Sequence, residues 1–472
     1  MKTTPRVPAL SSGATMATAE EQARLHVGII GMGDMGRLYA LRMRAAGWQH
    51  VHVCDREERY EALRAELAPR GLDVMRNGHQ VARVSDFLMY SVEAGNMEKV
   101  VAEYGPSTKV GAIVAAQTSV KAPERAAFET HLPSDVYIVS CHSLHGPHVD
   151  PKGQPLVLIQ HRAPDEKVRV VERVLACLES RYVYLSYEEH DTVTANTQAV
   201  THAAFLTMGT AWSQAKAYPW ETGKHPGGIE TVKMYLCLRI YGAKWHVYAG
   251  LALLNPQASK QVTQYAASAT ALFKLMLASD YDGLLQRVMA ARRSVFGWQD
   301  HETGSETPGH APILMSDDML NEFYVIAERV NKGEQSAQEA QHAVQVVPPP
   351  ANSHLSLLAI VDCWHVLGID PYRHLELAAT PVFRMWIGVT QYLFRSPERV
   401  REACRAATHD PSFRSDDLEF VIGARGWAQA VQFGDFDAYR RRFDMTRQFF
   451  EPRLAQANKV GAEMLRVLST RH

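Results

Sequence analysis

The chain has 472 residues, too many for one small core, so two or three domains are expected. Fifty Lys and Arg against 51 Asp and Glu leave a formal charge of −1, which argues against a nucleic-acid binder and against an acidic tail. No apolar run approaches the ~20 residues that span a bilayer, and the six cysteines form no CxxC pair, so a membrane span, a disulfide framework and a structural zinc site are set aside and a reducing cytoplasmic setting is expected.

Residues 1–24 are small and polar and read as a flexible tail. From residue 26, "HVGIIGMGDMG" runs an apolar strand into Gly31-x-Gly33-x-x-Gly36 and on into a helical pattern ending at Gly47. Gly31 allows the tight turn, Gly33 lets backbone approach a pyrophosphate, and Gly36 lets helix and strand pack closely. The helix start offers free N–H groups and a positive dipole end to phosphates. Gly31, Met32, Gly33, Asp34, Met35 and Gly36 are therefore candidate dinucleotide contacts. A second strand, "HVHVC", leads into Asp55, 24 residues after Gly31. An acid there suits the ribose 2′-hydroxyl of NAD, whereas Arg56 and Arg59 beside it suit the 2′-phosphate of NADP. On these residues alone the two cofactors stand even.

The runs "DFLMYSV", "AIVAAQTS", "VYIVSCHS", "PLVLIQH" and "YVYLSY" bring the strand count to about seven, and buried parallel strands require such near-continuous apolar stretches. Ligands sit at strand carboxyl ends in this architecture. Ser91, Thr118 and Ser119 in "QTSVK", and His142 in "CHSLHGP" fall there. His145 and His148 share that last loop, but Gly146-Pro147 breaks any helix that would align three histidines on a metal, so no metal is expected. An α/β Rossmann-like domain over 25–190 is the result.

Beyond it strands are scarce, and an all-α region is expected. Residues 336–352, with three consecutive prolines, read as a linker between helical stretches 191–335 and 353–472. A weak internal likeness joins "KWHVYAGLALLNPQ" to "FRMWIGVTQYLFRSPE", and "DYDGLLQRVMAARRSVF" to "DFDAYRRRFDMTRQFF". It suggests a duplicated helical domain packed as a pseudo-dimer, which leaves monomer or homodimer as the expected states.

The stretches "GIIGMGDMG", "QTSVK", "CHSLHGP", "EEHDTVTANTQAVTHAAF" and "ATPVFRMWIGVTQYLF" resemble the prephenate/arogenate dehydrogenases, most closely their fungal, NADP-dependent branch. The resemblance implies a dinucleotide domain followed by a helical domain, NADP rather than NAD, and oxidative decarboxylation of prephenate to 4-hydroxyphenylpyruvate in tyrosine biosynthesis. It leaves prephenate versus arogenate open and raises inhibition by tyrosine. It also implies His142 as the catalytic base, Ser119 as the partner of the substrate hydroxyl, and His202 as a substrate contact. The base is expected to titrate near the ordinary histidine value of about 6.5. The family's carboxylate-binding arginine has no match at its usual place, which is Gly250 here; Arg239 and Lys244 are the cations at hand, with Arg384 in the second stretch. The loop 218–230 is an insertion relative to short bacterial members. Two other readings use the same glycine loop. A β-hydroxyacid dehydrogenase would place a lysine on the first helix after the sheet, where this chain has His202 and no lysine before Lys216. A non-catalytic NADP-binding regulator would not need His142 and Ser119 at strand ends.

Overall fold

The computed structural model describes residues 16–147, 149–222, 227–301, 303–304, 314–332, 352–378 and 380–470. His148 and nearly all of the expected linker lie outside them. The chain divides into two compact units, one of residues 1–194 with 254–256, the other of residues 195–253 with 257–472.

The first unit is an eight-stranded sheet. Its strands are β1 (His26–Ile30), β2 (His50–Cys54), β3 (Asp73–Val74), β4 (Phe87–Tyr90), β5 (Ile113–Ala116), β6 (Tyr137–Ser143), β7 (Pro155–Arg162) and β8 (Arg181–Tyr184). Their order is β3-β2-β1-β4-β5-β6-β7-β8, parallel throughout except that β6 and β7 run antiparallel. Seven of these match the apolar runs of the sequence; β3 is two residues long, too short to leave a periodic signal. Sequence order reverses between β1 and β4, and such a switch point opens a crevice at the strand carboxyl ends.

Alternate residues of the strands feed two cores. Ile29, Val53, Met89 and Cys141 pack with Tyr39 and Met43 of the helix Asp34–Ala45 on one face. Ile30, Leu88, Val114 and Ile138 pack with Val101 and Phe128 on the other. That is why the strands are apolar on both sides. The expected flexible tail is shorter than residues 1–24. A helix, Ala19–Arg24, opens on a Thr18/Glu21 capping box, and Gln22 donates to the carbonyl of Ala46 at 2.9 Å.

The second unit is helical, and apolar side chains from Val200 to Leu468 join one core cluster. The expected pair of repeats does not separate into two cores. Nor does the helix count agree. One helix, Ala258–Leu277, stands between Pro256 and the helix Tyr281–Phe296, whereas two, Pro397–His409 and Arg414–Gln432, precede Phe436–Thr470. No helix among the described residues is long and apolar enough to cross a membrane. All six cysteines are buried and unpaired.

At the amino ends of β1 and β2, three imidazoles are layered. His26 stacks on His50 at 4.2 Å, and its Nδ1 lies 2.8 Å from His52 Nε2. Burial, then His50 and His52, hold the His26 pKa below its ordinary value. The unfolded chain therefore binds more protons below about pH 6.5, and stability present above that pH is lost as pH falls. Urea titrations at pH 7.5 and 5.5 are expected to show this loss, and His26→Val is expected to shrink the difference between the two pH values.

Candidate active site

The glycine turn is built as the spacing requires. Gly31 has φ +103°, and a Cβ there would lie 2.4 Å from the Ser91 carbonyl oxygen. A Cβ on Gly36 would lie 2.1 Å from the Gly31 carbonyl oxygen. A Cβ on Gly33 would meet no heavy atom within 4 Å. The protein's own packing thus demands glycine at 31 and 36, and close approach of a ligand is the physical reason for one at 33. Gly33 is the N-cap of Asp34–Ala45 and supplies no side-chain cap, so the helix end is open to an anion. These residues fit a dinucleotide.

Several residues of that stretch serve the turn instead of facing a ligand. Met32 is fully buried in the core, and its N–H donates to Asp55 Oδ2 at 3.1 Å. Asp55 also accepts from the Arg56 N–H at 2.8 Å and from the Arg59 guanidinium at 2.6 Å. Its charge is already answered, which corrects the expectation that it waits for a ribose hydroxyl. Arg56 is exposed, and its side chain has no partner among the described residues. Asp34 is exposed in the first turn of the helix, and Met35 packs partly on the core. Ser91 accepts from the Gln117 amide at 2.8 Å, beside the turn.

On the next strands a polar network replaces apolar packing. Lys121 and Glu124 are fully buried and paired at 2.6 Å. The Lys121 ammonium also donates to the carbonyls of Ala116 and Cys141, at 3.0 and 2.8 Å. Thr118 donates into this network, with its hydroxyl 2.7 Å from the Val120 carbonyl and 2.6 Å from Glu124 Oε2. That corrects its reading as a cofactor contact: the side chain points inward. Ser119, at the bend between, is half-buried, and its hydroxyl has no partner among the described residues.

His142 lies within β6 rather than on a loop, because pairing with β7 carries the strand on to Ser143 (His142 opposite Val157). It is 7% exposed, and its Nδ1 is 2.8 Å from His190 Nε2. His190 Nδ1 is in turn 2.9 Å from Asp191 Oδ1. Burial, the neighbouring His190 and the Lys121 ammonium push the His142 pKa well below the ordinary histidine value. That overturns the expectation of a base titrating near 6.5. His145 turns its Nδ1 to the Gly146 carbonyl at 2.9 Å and stands apart from this chain of contacts.

In the helical unit, His202 (helix Val200–Gln214) packs edge-on against Tyr248 at 4.7 Å, and its buried Nδ1 has no partner. Burial pushes its pKa down to about 3. Arg239 (helix Ile229–Tyr241) interacts electrostatically with Tyr248, and desolvation lowers its pKa. It has no acidic partner among the described residues. Buried polar groups left unpaired cost about 1–3 kcal/mol each, more when charged, so this is a place where an anion is welcome. Lys244 is exposed on the turn after that helix. Arg384, on the helix Pro381–Arg395, is half-buried with its Nε unpartnered. Tyr248 was not legible as a site residue; no motif marks it.

Two family descriptions match the chain in tandem. "NADP oxidoreductase coenzyme F420-dependent" covers residues 26–118, and "6-phosphogluconate dehydrogenase C-terminal domain" covers residues 199–470. The probable prephenate dehydrogenase [NADP(+)] of Schizosaccharomyces pombe is 49% identical over 439 residues, 93% of this chain and 96% of the relative. The prephenate dehydrogenase [NADP(+)] of Saccharomyces cerevisiae is also 49% identical, over 94% of this chain and 93% of that one. The chain belongs to the prephenate dehydrogenase family. Among solved structures, the Aquifex aeolicus prephenate dehydrogenase, crystallised with hydroxyphenyl propionate and NAD+, matches at 19% identity and a TM-score of 0.45, covering 56% of this chain and 94% of that one. Within a prephenate dehydrogenase framework the residues that motif reading missed are Lys121, Glu124, His190 and Asp191. "QTSVK" and "EEHDTVTAN" contain all but Glu124, yet nothing in either stretch says that they meet.

Arg239→Gln is expected to raise KM for the anionic substrate about 10–100-fold, the scale of one charge-assisted hydrogen bond, and to leave KM for the cofactor unchanged. Steady-state kinetics with each substrate varied in turn reads this.

Proposed function

We propose that this chain carries out the NADP-dependent oxidative decarboxylation of prephenate to 4-hydroxyphenylpyruvate, a step of tyrosine biosynthesis. The observation that carries the reading is a neutral, buried histidine at the carboxyl end of a sheet strand, in the same unit as a glycine turn fitted to a dinucleotide. Near-full-length identity to two fungal prephenate dehydrogenases [NADP(+)] supports it.

His142 is the base. Burial keeps it neutral at pH 7, the form that accepts a proton. It takes the proton of the ring hydroxyl, and Ser119 holds that oxygen. As the carbonyl begins to form, hydride leaves the same carbon, the ring carboxylate departs as carbon dioxide, and the ring becomes aromatic. The nicotinamide, when bound, supplies the hydride acceptor. Arg239 takes a substrate carboxylate, and His202 offers its unpartnered ring nitrogen to the substrate. The turn Gly31–Gly36 and the helix start hold the pyrophosphate. Arg56 takes the 2′-phosphate, the more readily because Asp55 is already engaged by Arg59. A β-hydroxyacid dehydrogenase and a non-catalytic regulator gain no comparable observation. Tyrosine inhibition, and a monomer or homodimer in solution, remain expectations of the family resemblance, as does the division of the helical region at residues 336–352.

Arg56→Ala is expected to weaken NADP binding about 10–100-fold while NAD binding changes little, as read by fluorescence titration of the cofactor. Equal losses for both would remove the 2′-phosphate role. His142→Asn is expected to lower kcat about 10²–10⁴-fold with NADP affinity nearly unchanged. The wild-type rate is expected to stay level as pH falls through 6.5 and to drop only at lower pH, because the depressed pKa keeps the imidazole neutral there.

A further inference from the structure

The reading above makes His142 a base but does not say which of its two nitrogens is free to accept a proton. We propose that His190 and Asp191 form a positioning dyad that locks His142 in one tautomer, with Nδ1 protonated and Nε2 bare. The proposal rests on the functional reading only for its kinetic consequence; the tautomer itself is a property of the protein.

The argument starts from Asp191. Its Oδ1 accepts the Lys121 N–H at 2.7 Å, and its Oδ2 accepts the Ala122 N–H at 2.8 Å. The carboxylate thereby caps the helix Ala122–His131 from a segment about 70 residues away, where no side chain of the helix's own N-cap does so. An anion at a helix start is held by both donors and dipole. Asp191 is fixed in place as an acceptor.

His190 Nδ1, 2.9 Å from Asp191 Oδ1, must then donate. His190 is fully buried, and the nearest charge among the groups acting on it besides Asp191 is the Lys121 ammonium. Both disfavour a second proton on the ring, so its Nε2 is an acceptor. His142 Nδ1, 2.8 Å away, must therefore donate. The opposite assignment would face two lone pairs or two N–H groups at that distance, or leave the carboxylate without its donor. His142 Nε2 has no hydrogen-bond partner among the described residues, which leaves it for substrate. The groups that bear on His142 are His190, Lys121 and His145, and none of them offers its Nδ1 a competing acceptor. As Nε2 gains a proton, the developing imidazolium is stabilised through His190 by the Asp191 carboxylate, with no change in the number of protons on the dyad.

His190 and Asp191 are positioning residues, since neither is assigned a contact with substrate. The test is imidazole nitrogen magnetic resonance of the full-length protein labelled with 15N-histidine, with the His142 signals identified by their loss in His142→Asn. The wild type is expected to show a protonated Nδ1 and a bare Nε2. In His190→Leu the two forms are expected to mix, and kcat to fall about 10²-fold with KM for prephenate and NADP within about threefold of wild type. His190→Gln offers a carboxamide oxygen to His142 and an N–H to Asp191, and is expected to restore kcat to within about fivefold. A wild-type spectrum with the proton on Nε2, or a His190→Gln enzyme as slow as His190→Leu, would overturn the dyad. A wild type with the expected spectrum but no turnover of prephenate would overturn the functional reading and leave the dyad standing.

Discussion

The buried Lys121–Glu124 pair is the contact on which the catalytic edge of the sheet depends. β5 and β6 are paired only at Ile113–Tyr137 and Val114–Ile138. Beyond that they part, and their next backbone groups need other partners. The Lys121 ammonium enters the wedge and takes the carbonyls of Ala116 and Cys141, while Ser140 both donates to and accepts from Ala116. A buried ammonium without an anion would be prohibitive, so Glu124 follows it inside, and Thr118 and Ser140 occupy the oxygens that remain. The result is a splayed strand pair with Ser119 at the turn after one strand and His142 near the end of the other. The same lysine's backbone N–H holds Asp191, so one residue ties the strand spacing to the orientation of the base.

Such a network is costly, and hydrophobic side chains of similar volume would stabilise the domain as well or better. What it supplies is fixed direction. A hydrogen-bonded chain running from a helix start through Asp191 and His190 to His142 leaves each ring one orientation. The pair also sets the electrostatics. The Lys121 charge near two buried imidazoles favours their neutral forms, so the base is ready across the neutral range rather than half-protonated at its lower edge.

The two units handle unpaired polarity differently. In the sheet unit the buried charges are matched within the protein: Lys121 by Glu124, Asp191 by backbone N–H groups, Asp55 by Arg59. In the helical unit His202 Nδ1 is buried without a partner, and Arg239 is desolvated without an acid. Unmatched groups of this kind store a modest instability that an anionic ligand relieves on arrival. The contrast separates residues that hold the machinery in place from residues that await a ligand.

The amino-acid sequence by itself determined the strands with long apolar runs, the glycine turn, the helical character of the second half, and His142, Ser119 and His202 as candidates. Each of these is local: a run of apolar side chains, three glycines at fixed offsets, or a motif within a dozen residues. Only the tertiary structure decided that β3 exists, that Met32 and Thr118 turn inward, and that Asp55 is occupied by its own neighbours. The structure alone also brought His190 to His142, 48 residues apart, and Asp191 to a helix start about 70 residues away. Periodicity reports which side of an element is buried. It does not report which strand lies beside which, and hydrogen bonds between side chains distant in sequence follow from that order. The antiparallel β7 shows the same limit: pairing with it moved His142 from an expected loop into a strand, and with that fixed the direction of its ring.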